Sequence, residues 1–341
     1  MGHTIIFVGL LDKVATNGET MKNQLFVQRF QEIFDRVYIF NAENVKHRPW
    51  RLLRLLCLCW AHPKSKVYLS ASYSIAKPLL LFLKIASRND IYYWVVGGIF
   101  HERVKKGELS LRFCRSLHSI IVQNEFMRDS LIEQGLNNVH YISNSKRIDF
   151  LPDISSRNNR LVKFVFLSRI HPSKGCKEII QSAINLNNSG CRDRFIVDFY
   201  GKIDPCYPDF SSMIDDVPNV SYKGFLDLTR KEGYLKLSEY DVMLFPTYWV
   251  GEGFPGVIID AYIAGLPVVA SDWNLNCFYV TNETGIIIPH HNQEILENEM
   301  RNIIEGKYDL QSMSQSSQHE AMKYDNRNVI TKQTLCQIGA F

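Results

Sequence analysis

A chain of 341 residues is long for one domain and comfortable for two, and 46% hydrophobic against 22% charged residues is a globular balance that excludes disordered and fibrous classes. The net charge of +4 hides a polarity: residues 1–160 hold 23 Lys and Arg against 13 Asp and Glu, whereas residues 161–341 hold 16 against 22. Eight cysteines without a CxxC pair or a Cys/His cluster at zinc spacing exclude a zinc module and fit reduced, cytosolic thiols.

Short apolar runs recur along the chain with helical stretches between them. The first half offers strands at 5–8, 37–40, 67–69, 91–96, 119–122 and 140–142; the second offers 163–167, 194–200, 220–222, 241–245, 267–270 and 285–288. Buried strands alternating with helices predict parallel sheets in an α/β fold, here two doubly wound Rossmann-like domains facing across a cleft. The polar cluster at 149–160 separates them, predicting an N-terminal domain over 1–152 and a second over 160–321. A last amphipathic segment, 322–341, is expected to pack back on the first domain.

No basic-then-apolar leader precedes the first strand, which predicts a cytoplasmic location. The best apolar run, 78–85, contains Lys84 and is too short to span a bilayer. The basic first half should attract something anionic; with no nucleic-acid motif, the candidate is the inner face of an anionic membrane. Within 47–66, Arg48, Arg51 and Arg54 recur every three residues among Trp50, Leu52, Leu53, Leu55, Leu56 and Trp60. Two readings stay open there: a surface helix lying on a membrane, or an ordinary amphipathic helix with its leucines in the core.

The densest motif is Gly251-Glu252-Gly253-Phe254-Pro255-Gly256, then a helix to Gly265, then Pro267-Val268-Val269-Ala270-Ser271. Pro255 suits the first helical position and Gly265 the left-handed residue that closes a helix. The loop aims backbone N–H groups at the positive end of a helix, a site for phosphate, with Glu252 at its mouth. Earlier, Phe166-Leu167-Ser168-Arg169-Ile170-His171-Pro172-Ser173-Lys174-Gly175 follows a strand and carries two cations that could converge on a diphosphate.

These two motifs together resemble the signature of the GT-B retaining glycosyltransferases (group 1, family 4-like), which include enzymes of capsule and surface-polysaccharide synthesis. The resemblance is strongest over 162–289. It implies that Glu252 contacts the donor sugar, that Arg169 and Lys174 neutralise the diphosphate, and that Gly253, Phe254, Pro255 and Gly256 frame the phosphate loop. The family's second glutamate, eight residues on, holds the ribose; here Asp260 takes that place, one methylene shorter, leaving the contact direct, water-bridged or lost. In the first domain the resemblance implies close backbone approach at Asn17-Gly18 and at Gly97. The family's sugar-contacting histidine is replaced by Gly97-Gly98, so His101 serves only if its loop curls back and is otherwise a surface histidine. Gly201 corresponds to a strand-end glycine near the base.

The resemblance further implies a metal-independent hexosyl transfer from a UDP- or GDP-sugar to a glycan or lipid-linked glycan acceptor, with no permanently bound cofactor, no metal site and no nucleic acid. The chain has no Asp-x-Asp, P-loop, Gly-x-Ser-x-Gly or His-Glu-x-x-His motif. A nucleotide-sugar epimerase of the same fold and a non-catalytic sugar-nucleotide-binding protein remain open alternatives.

Overall fold

Each expected apolar run forms a strand, and the strands build two parallel six-stranded sheets. The structure is a computed structural model that describes residues 3–11, 18–45, 47–155 and 161–341. The chain divides into two units, residues 1–147 with 324–341, and residues 148–323.

In the first unit the strands are β1 (Thr4–Gly9), β2 (Arg36–Asn41), β3 (Lys66–Ser72), β4 (Ile91–Val96), β5 (Ser119–Val122) and β6 (Val139–Tyr141), in the order β2-β1-β3-β4-β5-β6. Its helices are α1 (Gly18–Ile33), α2 (Arg51–Ala61), α3 (Tyr73–Ala86), α4 (Phe100–Lys105), α5 (Leu111–Ser116) and α6 (Glu125–Glu133). Strands such as β1 are continuous apolar runs because helices cover both faces of a parallel sheet; Ile5 to Val8 are essentially fully buried. One face packs against α2 to α6 through residues such as Leu55, Leu80, Leu83 and Leu131. The other face is aromatic: Phe26 and Phe30 of α1 pack on Tyr68, Tyr92 and Trp94, with the Phe26 and Trp94 rings 4.3 Å apart. Each such ring contributes roughly 1.5–3 kcal/mol by leaving water.

Most of the segment 47–66 is helical, and its core-facing residues fit the amphipathic-helix reading. α2 is an amphipathic helix whose Leu55 and Cys59 enter the core, while Trp50, Leu53 and Trp60 remain on the outside.

In the second unit the strands are β7 (Val162–Leu167), β8 (Phe195–Tyr200), β9 (Val220–Tyr222), β10 (Val242–Phe245), β11 (Val268–Ser271) and β12 (Gly285–Ile288), in the order β12-β11-β10-β7-β8-β9. Its helices are α7 (Cys176–Leu186), α8 (Lys231–Leu237), α9 (Gly256–Ile263), α10 (Asn276–Tyr279), α11 (Gln293–Ile304) and α12 (Leu310–Ala321). In α7, Ile179, Ile180, Ala183 and Leu186 are buried at helical spacing, facing Leu296, Met300 and Ile303 of α11 in one core.

The chain then returns to the first unit as α13 (Asn326–Val329) and α14 (Lys332–Gln337). Lys146 and Asp325 form a parallel bridge, and Ile330, Leu335 and Ile338 complete the aromatic core over α1. No helix among the described residues is long and apolar enough to cross a membrane.

Candidate active site

In an open α/β sheet, ligands bind beyond the C-terminal strand ends where the strand order reverses. In the second unit that point lies between β7 and β10, and the two motifs singled out in the sequence are the loops leaving these two strands.

The loop after β7 is fixed by its neighbours before it does any chemistry. The Ile170 side chain is fully buried, and Ile170 pairs with Ile203 in a parallel bridge. His171 caps a single 3-10 turn over Pro172–Lys174, its Nδ1 accepting the Ser173 N–H at 3.1 Å. Burial lowers the His171 pKa, in keeping with a neutral ring that can accept there. Gly201, where β8 ends, has φ +143°; a Cβ on it would stand 1.7 Å from the Ser168 carbonyl oxygen. Only glycine lets the exits of β7 and β8 run this close.

This turn drives Lys174 inward. Its side chain is 7% exposed and ion-paired with Glu252, itself 11% exposed. The ammonium lies 5.5 Å over the Phe245 ring. Thr247, just past β10, donates its hydroxyl to the same Glu252 oxygen at 3.1 Å. A pair this enclosed needs both partners, because removing one leaves an uncompensated charge in low dielectric.

Arg169 lies half-exposed at the same mouth. Its guanidinium stacks 4.9 Å from the Trp249 ring and reaches Asp204 at 3.4 Å. Trp249 also receives the His171 ring edge-on at 4.8 Å. The loop after β10 is tied down in turn: Tyr248 N–H donates to the Ser173 carbonyl at 2.8 Å and Glu252 N–H to the Trp249 carbonyl at 3.0 Å. From the loop after β11, Trp273 Nε1 donates to the Trp249 carbonyl at 2.8 Å and Asn274 Nδ2 to the Glu252 carbonyl at 2.9 Å. Glu252, Lys174 and Arg169 are thus gathered by three mutually bonded loops.

The glycine-rich loop before α9 differs in detail from the sequence expectation. Pro255 is the N-cap of α9 and not its first helical residue, because its ψ of 116° is extended and the helix begins at Gly256. Phe254 is buried and stacked on Tyr279, ring centroids 3.7 Å apart, so it anchors the loop in the core. Gly253 and Gly256 flank this anchor and are half-buried. Gly265 ends the helix region with φ +69°, as expected.

Asp260 sits in the body of α9, 3% exposed, and accepts the Tyr234 hydroxyl at 2.6 Å. Burial first, and then the Asp260 charge, push the Tyr234 phenol well up, so it remains a donor. The pair clips α8 to α9.

The remaining expected residues belong to the first unit. Gly18 is the exposed first residue of α1; Asn17 lies outside the described residues. Gly97 is exposed with φ +100°, and open space surrounds the position a Cβ would take. His101 is not on a surface loop: it lies on α4, whose Phe100 and Val104 are buried four residues apart and hold the turn as helix. Its ring packs edge-on against Phe126 at 5.3 Å, and burial lowers its pKa.

Sequence reasoning missed Thr247 and Trp249. Only the position of Thr247, two residues past a buried strand, could have flagged one of them. It also missed a grouping of His171, Asp204 and Cys206, whose ligating atoms lie within 4.8 Å of one another. They come from two different loops, so no spacing reveals them. Arg169 shares Asp204 and supplies the positive charge there.

Residues 162–306 match the family model described as Glycosyl transferases group 1. No curated protein matches the chain in sequence. Among solved structures, HepE of Anabaena in complex with UDP-glucose is similar over 99% of this chain and 100% of its own, with a TM-score of 0.71 at 16% identity. Sucrose-phosphate synthase from Thermosynechococcus elongatus is similar over 99% and 97%, with a TM-score of 0.74 at 14% identity. TarM gives 0.64 at 18% identity over 84% of this chain, which spans only 58% of TarM. At such identities the likeness establishes the fold, the two-sheet α/β architecture of the GT-B glycosyltransferases.

Proposed function

We propose that this protein transfers a hexose from a nucleotide diphosphate sugar to a hydroxyl of a glycan or lipid-linked glycan acceptor, with retention of anomeric configuration. The observation that carries this reading is the enclosed Lys174–Glu252 pair, with Thr247, beside the N-terminus of α9. It lies within the stretch that matches the glycosyl transferase family model. HepE, solved with UDP-glucose, supports UDP as the first base to try before GDP.

Breaking the bond between sugar and diphosphate leaves negative charge on the departing phosphate. Arg169, Lys174 and the N-terminal N–H groups of α9 would stabilise that charge more as it develops than in the bound donor, which is what lowers the barrier. These groups supply the positive charge without a bound metal. Glu252 orients the sugar hydroxyls and holds Lys174 in place until the diphosphate arrives. Retention follows if the acceptor hydroxyl attacks from the face the phosphate leaves, its proton passing to the leaving phosphate. Trp249 keeps the Arg169 guanidinium extended by stacking. Asp260 acts by fixing α8 against α9 through Tyr234.

The test is thermal stability with UDP, GDP, ADP and dTDP and their sugars, on wild type and Arg169→Ala, followed by product analysis with and without acceptor glycans. A ligand that binds only the folded state raises the melting point. A shift with one nucleotide, lost in Arg169→Ala, and an acceptor-dependent release of that nucleotide are expected. Epimerised sugar nucleotide formed without an acceptor, or no shift with any nucleotide, overturns the proposal.

A further inference from the structure

We infer that the outer side of α2 with the end of α3 is a docking surface for an anionic lipid bilayer. The inference does not depend on what the second unit binds. Residues 44–89 contain nine Lys and Arg and not one Asp or Glu. An ordinary amphipathic helix turns polar residues outward. α2 instead carries large apolar groups on both sides: Leu55 and Cys59 enter the core, while Trp50, Leu53 and Trp60 are 63%, 63% and 65% exposed. With the exposed Cys57 these occupy positions i, i+3, i+7 and i+10, one side of a helix.

The stripe continues onto α3. Trp60 Nε1 donates to the Ala86 carbonyl at 3.0 Å, which brings the ends of the two helices together, and the adjoining Ile85 is 86% exposed. Arg48, Arg54, Lys64 and Arg88 are exposed around this stripe. Among the described residues no carboxylate forms an ion pair with any of the four.

An apolar centre of tryptophan and isoleucine with a cationic rim matches the acyl boundary and headgroup layer of a bilayer in depth and in charge. Indole rings settle at that boundary, and each Lys or Arg near an anionic surface adds attraction that salt screens. A second copy of this chain would set the same cations against one another, and a polyanion without an acyl layer would leave Leu53 and Ile85 unused.

The experiment is flotation of the full chain with phosphatidylcholine vesicles, with and without phosphatidylglycerol, at low and high salt. Tryptophan quenching by brominated lipid reads the depth of insertion. The expected result is binding that needs phosphatidylglycerol, weakens with salt and quenches tryptophan. Trp50→Ala with Leu53→Ser, and separately Arg54→Glu with Arg88→Glu, should each lower partitioning roughly tenfold or more, with circular dichroism and melting point unchanged. Absence of binding by the wild type, or equal binding by both folded variants, overturns the inference. So does a solution dimer that Leu53→Ser splits, or retention on a polyanion without binding to the vesicles.

Discussion

The two sheets have the same number of strands but different orders, and the difference decides what gathers at their ligand-binding ends. In the second unit the order reverses between β7 and β10; in the first it reverses between β1 and β3. The β7/β10 point holds an enclosed ion pair, a stacked arginine and a helix N-terminus. The β1/β3 point is an amide and carboxylate network: Asn23 donates to the Leu10 and Ser70 carbonyls, both at 3.1 Å, and Glu19 accepts the Ser72 N–H at 3.0 Å. Its one buried cation among the described residues, Lys22, donates to Gln123 at 3.2 Å. One end pairs buried and stacked charges beside a helix N-terminus. The other, among the described residues, is built mainly from amide, carbonyl and carboxylate hydrogen bonds.

The sharpest way to break this contrast is to remove half of the ion pair. Glu252→Gln should lower turnover by about 10²–10³-fold if Glu252 orients the sugar and Lys174 as proposed, measured as acceptor-dependent nucleotide release. Lys174→Ala should cost about 3–5 kcal/mol in chemical denaturation of the second unit, because it strands the Glu252 carboxylate. Lys174→Met with Glu252→Gln should recover most of that stability and none of the activity. Equal stability of the single and double variants would refute the coupling.

Next in size is the backbone that positions the arginine loop. Gly201→Ala places a methyl 1.7 Å from the Ser168 oxygen and should destabilise by more than about 2 kcal/mol. A near-neutral melting point would show that the exits of β7 and β8 can separate freely.

In the first unit the corresponding probe is Lys22, whose pKa burial lowers from 10.5 to about 7. Between those values the unfolded chain binds the extra proton, so stability rises with pH across the window, and the full cost of the buried charge is present below pH 7. Lys22→Met should therefore stabilise most below pH 7, with the gain fading towards pH 10.5. A pH-independent gain would mean that Lys22 is not charged at the bottom of that window.

The smallest expected change in stability is that of Arg169→Ala. An exposed arginine with one long ion pair contributes about 0–1 kcal/mol, yet its loss should abolish the nucleotide-dependent rise in melting point. That combination would separate a ligand-binding role from a structural one.

Much of this was legible in residue order. Continuous apolar runs such as Ile5 to Val8 can only be satisfied on both faces, which is the signature of a parallel strand. Gly265 followed by Pro267 marks a helix end and a strand start on backbone grounds alone. His101 was misread because Phe100 and Val104 form a helix only once there is a core for them to enter. Pro255 shifted by one position because proline fixes φ and leaves ψ to its surroundings.

The chain by itself determined the strands, the α/β class and the two charged loops, since burial period and glycine or proline geometry are local properties. Tertiary structure alone decided the pairing of Lys174 with Glu252, the stacking of Arg169 on Trp249 and the closure of Asp260 onto Tyr234. Those contacts join residues 26 to 80 positions apart. The strand order, which sets β7 beside β10, makes the first two pairs neighbours, and the packing of α8 on α9 makes the third.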